Sequence, residues 1–319
     1  MDLRSPQVPS GRGYRPGRLQ SFERQAGKYY FAASLLLIMI LAPALSCGAE
    51  LQSDTLAAWN HYIVQAKERM NSRLGAGSHF LWVDEEPDRA RRVRSGEIVV
   101  APVNGSGRTD VPNGLIHDWI GAAFFPDTTI EKVFATMNDY ACYKDFYGPT
   151  VIDSKLLSRD GLESSFSMRW LKQALLVTTV MDADYKAHYF VRSEKSRYGF
   201  AWSTRIQDVV DYGLPSEHKL PPGTGSGFIW RLFSISRFEQ RDGGVYVELE
   251  AMALSRCVPT CLGWLVNPVV RRISQSSLMR SLSQTREAVR SLPQRTGPDS
   301  CGSQTGELRA RSVNKLRPN

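Results

Sequence analysis

The chain has 319 residues, 42% of them hydrophobic and 23% charged. Those proportions exclude wholesale disorder, a collagen-like repeat and a multi-span membrane protein, and leave ample apolar material for a buried core. The formal charge of +8 sits at the ends: residues 1–28 carry six Lys/Arg against two Asp/Glu and residues 291–319 five against two, so the stretch between is near +1. A middle so close to neutrality lacks the footprint of a polyphosphate-binding fold, and no nucleic-acid partner is expected.

Residues 1–49 read as an address. An Arg/Gly/Pro-rich leader ends in Arg24 and Lys28, and the uncharged apolar run from Tyr29 to Ser46 follows. The small residues after Pro43 (Ala44, Ser46, Ala49) favour a cleaved secretory signal. An uncleaved membrane anchor is the competing reading, because the run is just long enough to span a bilayer. Cys47, behind Ala44-Leu45-Ser46, weakly resembles a lipoprotein lipidation site, so a tether through the N-terminus stays open. The expected location is periplasmic, or anchored on the outer side of the inner membrane. Export permits disulfides. Cys257 and Cys261 are close enough in sequence to close a small loop, and two unpaired thiols are the alternative. No CxxC or Cys/His pattern suggests a metal, and no cofactor is expected.

In residues 50–113, Leu56, Trp59, Tyr62, Ile63, Ala66 and Met70 recur at helical spacing behind an Asp54 cap. His79–Val83 and Glu97–Val103 read as strands, with Arg89, Arg91, Arg92 and Arg94 in a solvated turn between them. Asn104–Gly114 reads as a loop. From Leu115 the pattern is regular. A strand to Phe125 precedes a short helix (Ile130, Val133, Phe134, Met137) capped from Asp127 or Thr128, and then further helical turns over Asp139–Phe146. Strands are predicted at Thr150–Ser158, Leu162–Gln173, Leu175–Arg192, Ser196–Val210, Gly227–Gln240 and Val245–Arg256, the last entered through the Asp242-Gly243-Gly244 turn. One long helix covers Trp264–Val289, and the tail over 291–319 has a disordered composition.

Strand, two short helices, a run of antiparallel strands and one long C-terminal helix is a diagnostic order. With Phe125-Pro126, the Tyr140–Tyr147 segment, Leu254-Ser255-Arg256 and the Trp264-Leu265-Val266-Asn267-Pro268 helix entry, residues 114–290 resemble the START-like, or SRPBCC, helix-grip superfamily. That superfamily includes lipid-transfer proteins, polyketide cyclases and birch-pollen-allergen-like proteins. The resemblance implies an α+β helix-grip fold: a curved antiparallel sheet wrapped around a long C-terminal helix, here with an N-terminal helix-and-strands extension. It also implies a cavity for a hydrophobic small molecule.

Alternation assigns the lining. Phe166, Met168 and Trp170 share one strand face, Tyr198, Phe200 and Trp202 another, and Trp230 lies opposite Arg231. His117 and Trp119 share a face, whereas His117 and Asp118 point to opposite sides and form no dyad. Ile273 and Ser277 come from the long helix. These eleven residues are the predicted ligand contacts. The alternative is that large aromatic rings plug the space above small helix residues. The Pro/Gly-rich loop over Asp211–Gly227 is expected to gate the cavity or to be a plain excursion. No nucleophile elbow, HExxH or phosphate loop is present, so no catalytic residue is assigned. A carrier or sensor is the leading expectation. A cyclase- or hydrolase-type enzyme in the same cavity and a protein-interaction module with a filled core are the alternatives.

Overall fold

A computed structural model describes residues 50–174, 177–225, 229–256 and 263–291. The leader with Cys47, the Cys257–Cys261 pair and the C-terminal tail lie outside the described residues. Among the described residues no helix is long and apolar enough to cross a membrane.

Ten strands form one open antiparallel sheet. They are β1 (Val99–Pro102), β2 (Arg108–Val111), β3 (Gly114–Pro126), β4 (Val151–Asp160), β5 (Glu163–Ala174), β6 (Val177–Ser193), β7 (Ser196–Val210), β8 (His218–Lys219), β9 (Ile229–Arg241) and β10 (Gly244–Arg256). The order is β1-β3-β10-β9-β7-β6-β5-β4, with β2 also on β3 and β8 on β7. Among the described residues the helical segments are α1 (Ser53–Ser72), a 3-10 turn (Trp82–Glu85), α2 (Pro87–Arg94), α3 (Ile130–Met137), a second 3-10 turn (Tyr140–Cys142) leading into α4 (Tyr143–Phe146), and α5 (Gly263–Ser291).

The sheet is covered on both faces, because strand residues alternate sides and both sets are apolar. On the outer face α1 buries Trp59, Tyr62, Ile63, Ala66 and Met70 against Ile116, Phe124, Phe233, Ile235, Met252 and Leu254. Burying a side chain of that size contributes about 1.5–3 kcal/mol, so the extension is part of the core. On the inner face Leu282 and Val289 of α5 join Ile130, Val133 and Met137 of α3 over Phe125, Phe238, Val245 and Val247.

The helix comes close to β3 because position 121 has no side chain. A Cβ there would meet Leu282 Cδ1 at 2.8 Å and Leu278 Cγ at 3.2 Å. Gly121→Val is therefore expected to wedge α5 off the sheet and lose about 1–3 kcal/mol, measured as a drop in the urea midpoint.

Several sequence expectations are corrected. His79–Val83 is not a strand: Phe80, Leu81 and Val83 are all buried, and the Trp82 and Val83 amides donate to the Glu248 carboxylate (3.0 and 2.9 Å) rather than to a neighbouring strand. The arginine segment is α2, not a solvated turn. Arg89 is buried with its guanidinium 3.7 Å from the Trp82 ring centroid, and Arg94 lies 4.4 Å from that of Phe124. Asn104–Gly114 is not all loop: it contains β2, which pairs antiparallel with the start of β3. Gln52 is the N-cap of α1, with Asp54 inside the first turn where the helix dipole favours it. Thr129 caps α3, its hydroxyl accepting from Lys132 N at 3.4 Å, whereas Asp127 adopts a positive φ at the β3 exit. The first half of the Asp211–Gly227 loop folds back as β8 and is pinned by Lys219 to Asp182 (2.5 Å) and by Glu217 to Arg169 (2.9 Å).

Candidate functional site

Three of the sheet's central strands bring small residues into one row on the inner face. Ala251 of β10 pairs with Ser234 of β9, and Ser234 pairs with Ala201 of β7. Leu249 and Ala253 flank the row, and Leu232 lies opposite Ala253. Ala201, Leu232, Ser234, Leu249, Ala251 and Ala253 are only half-buried, although they sit mid-strand in the middle of the sheet. On β10 the outward neighbours Glu248, Glu250, Met252 and Leu254 are buried beneath the outer layer. The usual pattern is thus inverted: the side facing the long helix is the more open one.

The helix explains why. Leu278, Leu282, Thr285 and Val289 bury one stripe of α5. Ile273, at 40% exposure, and Ser277 lie on an adjacent stripe with Gln284, eleven and seven residues on. Gln284 Nε2 donates to Gly148 O at 2.8 Å, so that stripe looks across the sheet rather than onto β3. Among the described residues, the buried stripe of α5 thus leaves the small-residue row partly exposed, as an apolar groove on the inner face of the sheet.

Its far end is plugged by rings. Tyr140 and Phe166 stack at 4.0 Å, Phe166 and Tyr185 at 5.0 Å, and Tyr185 and Trp170 at 6.2 Å, all within 12° of parallel. Tyr143 donates to Met137 O (2.5 Å), and Tyr147 hydrogen-bonds Thr285 Oγ1 on α5 (2.9 Å). Burial pushes the Tyr143, Tyr147 and Tyr185 hydroxyls above their ordinary value, so they stay neutral at physiological pH. Trp170 Nε1 and Tyr185 Oη are sealed without a protein partner.

One polar pair stands at the groove's edge. His117 of β3 is the neighbour of Ala253, and its Nε2 lies 2.9 Å from Ser255 Oγ. Burial, with the Arg108 charge behind it, pushes the imidazole down to about 4. It is therefore a neutral hydrogen-bonding group at physiological pH and a weak general base. Asp118 points to the opposite face, bonded to the Tyr62 hydroxyl at 2.8 Å, so strand alternation separates the two. Trp119 shares the His117 face, with the Arg271 guanidinium 5.9 Å from its ring centroid. Among the described residues no group of His, Cys, Asp and Glu could hold a metal ion.

The sequence-predicted contacts divide. His117, Trp119, Phe166, Met168 and Trp170 lie on the α5 side of the sheet, and Ile273 and Ser277 on the open flank of α5. Tyr198, Phe200, Trp202 and Trp230 pack instead on the outer face beneath α1. Two bulges account for this. In β7, Arg205 pairs with Asp184 but Ser203 with Tyr185, so Thr204 is an extra residue and the alternation inverts between Trp202 and Ile206. In β9, Arg231 pairs with Leu254 and Ile229 with Ser255, which puts the extra residue at Trp230. The small residues of the row were missed. Their signal was the absence of bulk at inner positions of adjacent strands, visible only once the register is known.

No family model matches the chain, and no curated protein matches it. Solved structures are similar. The STAR-related lipid transfer protein of Xanthomonas axonopodis has 17% identity and a TM-score of 0.39, over 58% of this chain and 99% of that one. Human STARD10 has 10% identity and a TM-score of 0.37, over 77% and 90%. The Zhui aromatase/cyclase from Streptomyces sp. R1128 has 11% identity and a TM-score of 0.34, over 55% and 97%.

The fold is a helix grip.

In this helix grip the sheet's inner face and α5 enclose the groove, while α1, the 3-10 turn at Trp82–Glu85 and α2 form a further layer on the outer face. With TM-scores below 0.5 these similarities carry neither the fold nor a residue correspondence, so both the fold and the groove rest on the chain's own geometry.

Proposed function

We propose that the protein binds a hydrophobic small molecule, of lipid, isoprenoid or aromatic type, in the groove between the sheet and α5, and acts as a carrier or sensor. The observation that carries this reading is the partial exposure of Leu232, Leu249, Ala251 and Ala253 at mid-sheet positions that a filled core would seal. A ligand covering about 300 Å² of apolar surface there gains roughly 7 kcal/mol before the entropy of association is subtracted. The neutral His117–Ser255 pair supplies a hydrogen bond for one polar group on such a ligand. Its weak basicity is why binding without turnover is preferred to a cyclase or hydrolase.

Export to an oxidising compartment, with or without a membrane tether, belongs to the same proposal. It is supported by the basic flank and apolar run ahead of residue 47 and by Cys142, which is disulfide-bonded.

The test is to purify the full chain from native membranes, extract it with organic solvent and identify the co-purified molecules by mass spectrometry. One unaltered apolar molecule at close to one equivalent is expected. An empty protein that also takes up no added lipid overturns the proposal, and turnover of a supplied ester that is lost in His117→Ala replaces the carrier by an enzyme.

A further inference from the structure

The outer layer is held by an unusual set of charges. Beneath α1, Arg237 of β9 is fully buried and pairs with Glu248 (Nε to Oε2, 2.8 Å) and Glu250 (Nη2 to Oε2, 3.2 Å) of β10. Asp118 of β3 accepts from the Tyr62 hydroxyl at 2.8 Å. Arg69 of α1 reaches both remaining acids through one nitrogen, 3.3 Å from Asp118 Oδ2 and 3.6 Å from Glu250 Oε1. The 3-10 turn adds the Trp82 and Val83 amides on Glu248, and the β1–β2 loop adds Asn104 Nδ2 on the Tyr62 oxygen at 2.7 Å.

Three buried carboxylates thus face two guanidiniums, one sealed (Arg237) and one on a side chain that is 40% exposed at the rim (Arg69). Asp118 Oδ1 has no hydrogen-bond partner and Glu250 Oε1 only the ion pair to Arg69 at 3.6 Å, so the excess negative charge is costly, and a proton on Asp118 removes it. The residues that complete the cluster, Tyr62 and Arg69, belong to α1.

We infer that the α1 layer is a proton-held clasp on the outer face of the sheet: one proton, carried by Asp118, keeps α1 docked, and its loss loosens that layer while the grip itself stays folded. Burial, then the Glu250 charge, pushes the Asp118 carboxyl up to about 7, against the lowering influence of the Tyr62 hydroxyl, Arg69 and Arg237. The sign follows. A carboxyl raised above its unfolded value of about 3.9 binds its proton better in the docked state. Docking is then strongest in acid and weakens as pH rises from about 4 to about 7. The outer rings of Tyr198, Phe200 and Trp202 become uncovered when α1 lifts. This inference is independent of whether the groove holds a ligand.

Hydrogen exchange of the full chain, read by mass spectrometry and corrected for intrinsic rates, tests it at pH 5 and pH 7.5. Opening of the α1 amides, taken relative to those of β9 and β10, is expected to rise at least about tenfold between the two. In Asp118→Asn, whose amide replaces the bound proton, the rise is expected to fall below about twofold. Glu250→Gln gives the same readout should the first variant not fold. A wild-type α1 whose relative protection is the same at both pH values overturns the clasp, as does a folded variant that keeps the wild-type rise.

Discussion

Arg237→Met is expected to destabilise the protein by about 3–5 kcal/mol. The guanidinium is fully buried and bonded to Glu248 and Glu250, which are themselves buried. Methionine fills much of the volume and meets Met70, whose Sδ lies 3.6 Å from Arg237 Nη1, so packing changes little. What changes is charge: Glu248 keeps only the Trp82 and Val83 amides, and Glu250 keeps only the more distant Arg69. An uncompensated buried carboxylate either pulls water in or takes up a proton, and both outcomes cost the folded state. Urea unfolding at pH 7.5 measures the loss. A change under about 1 kcal/mol would mean that the cluster is solvated and that α1 docks through its apolar side chains alone.

The second large effect concerns the groove. Ala251→Trp places an indole on the half-open row between Trp119 and Ser234. If that row faces free space, the new ring occupies the ligand's place. Uptake of an apolar molecule then falls by at least tenfold, while the urea midpoint moves by no more than about 1 kcal/mol equivalent. A packed interior gives the opposite pair of results: no uptake to lose, and about 1–3 kcal/mol or more of overpacking strain. The same substitution therefore distinguishes a binding protein from a filled scaffold.

Much of this architecture follows from local rules. Helical spacing over Trp59–Met70, the Asp242-Gly243-Gly244 turn and the long apolar alternations place α1, α5 and eight of the ten strands within a few residues of where they occur. The segments that escaped are those whose partners are distant in sequence. Phe80–Val83 is shaped by a carboxylate 165 residues away, and Arg89 is buried by Trp82 rather than by its own helix. Side assignment failed where a bulge inserts one residue, at Thr204 and Trp230, since a period of two carries no memory across an extra position. Alternation along β10 puts Glu248 and Glu250 on the face away from α5, and a period of two does not show that an outer layer covers them and turns a charged stripe into a buried ionic cluster.

The central claim is an open apolar groove under α5, and titration of the full-length protein with a fluorescent polyene fatty acid tests it most directly. Trp119 and Trp170 lie on the groove's side of the sheet, so a molecule bound there receives excitation energy from tryptophan. Saturable transfer at one probe per chain, lost in Ala251→Trp, is the predicted result. Transfer that never saturates, or that persists unchanged in the filled variant, would contradict it.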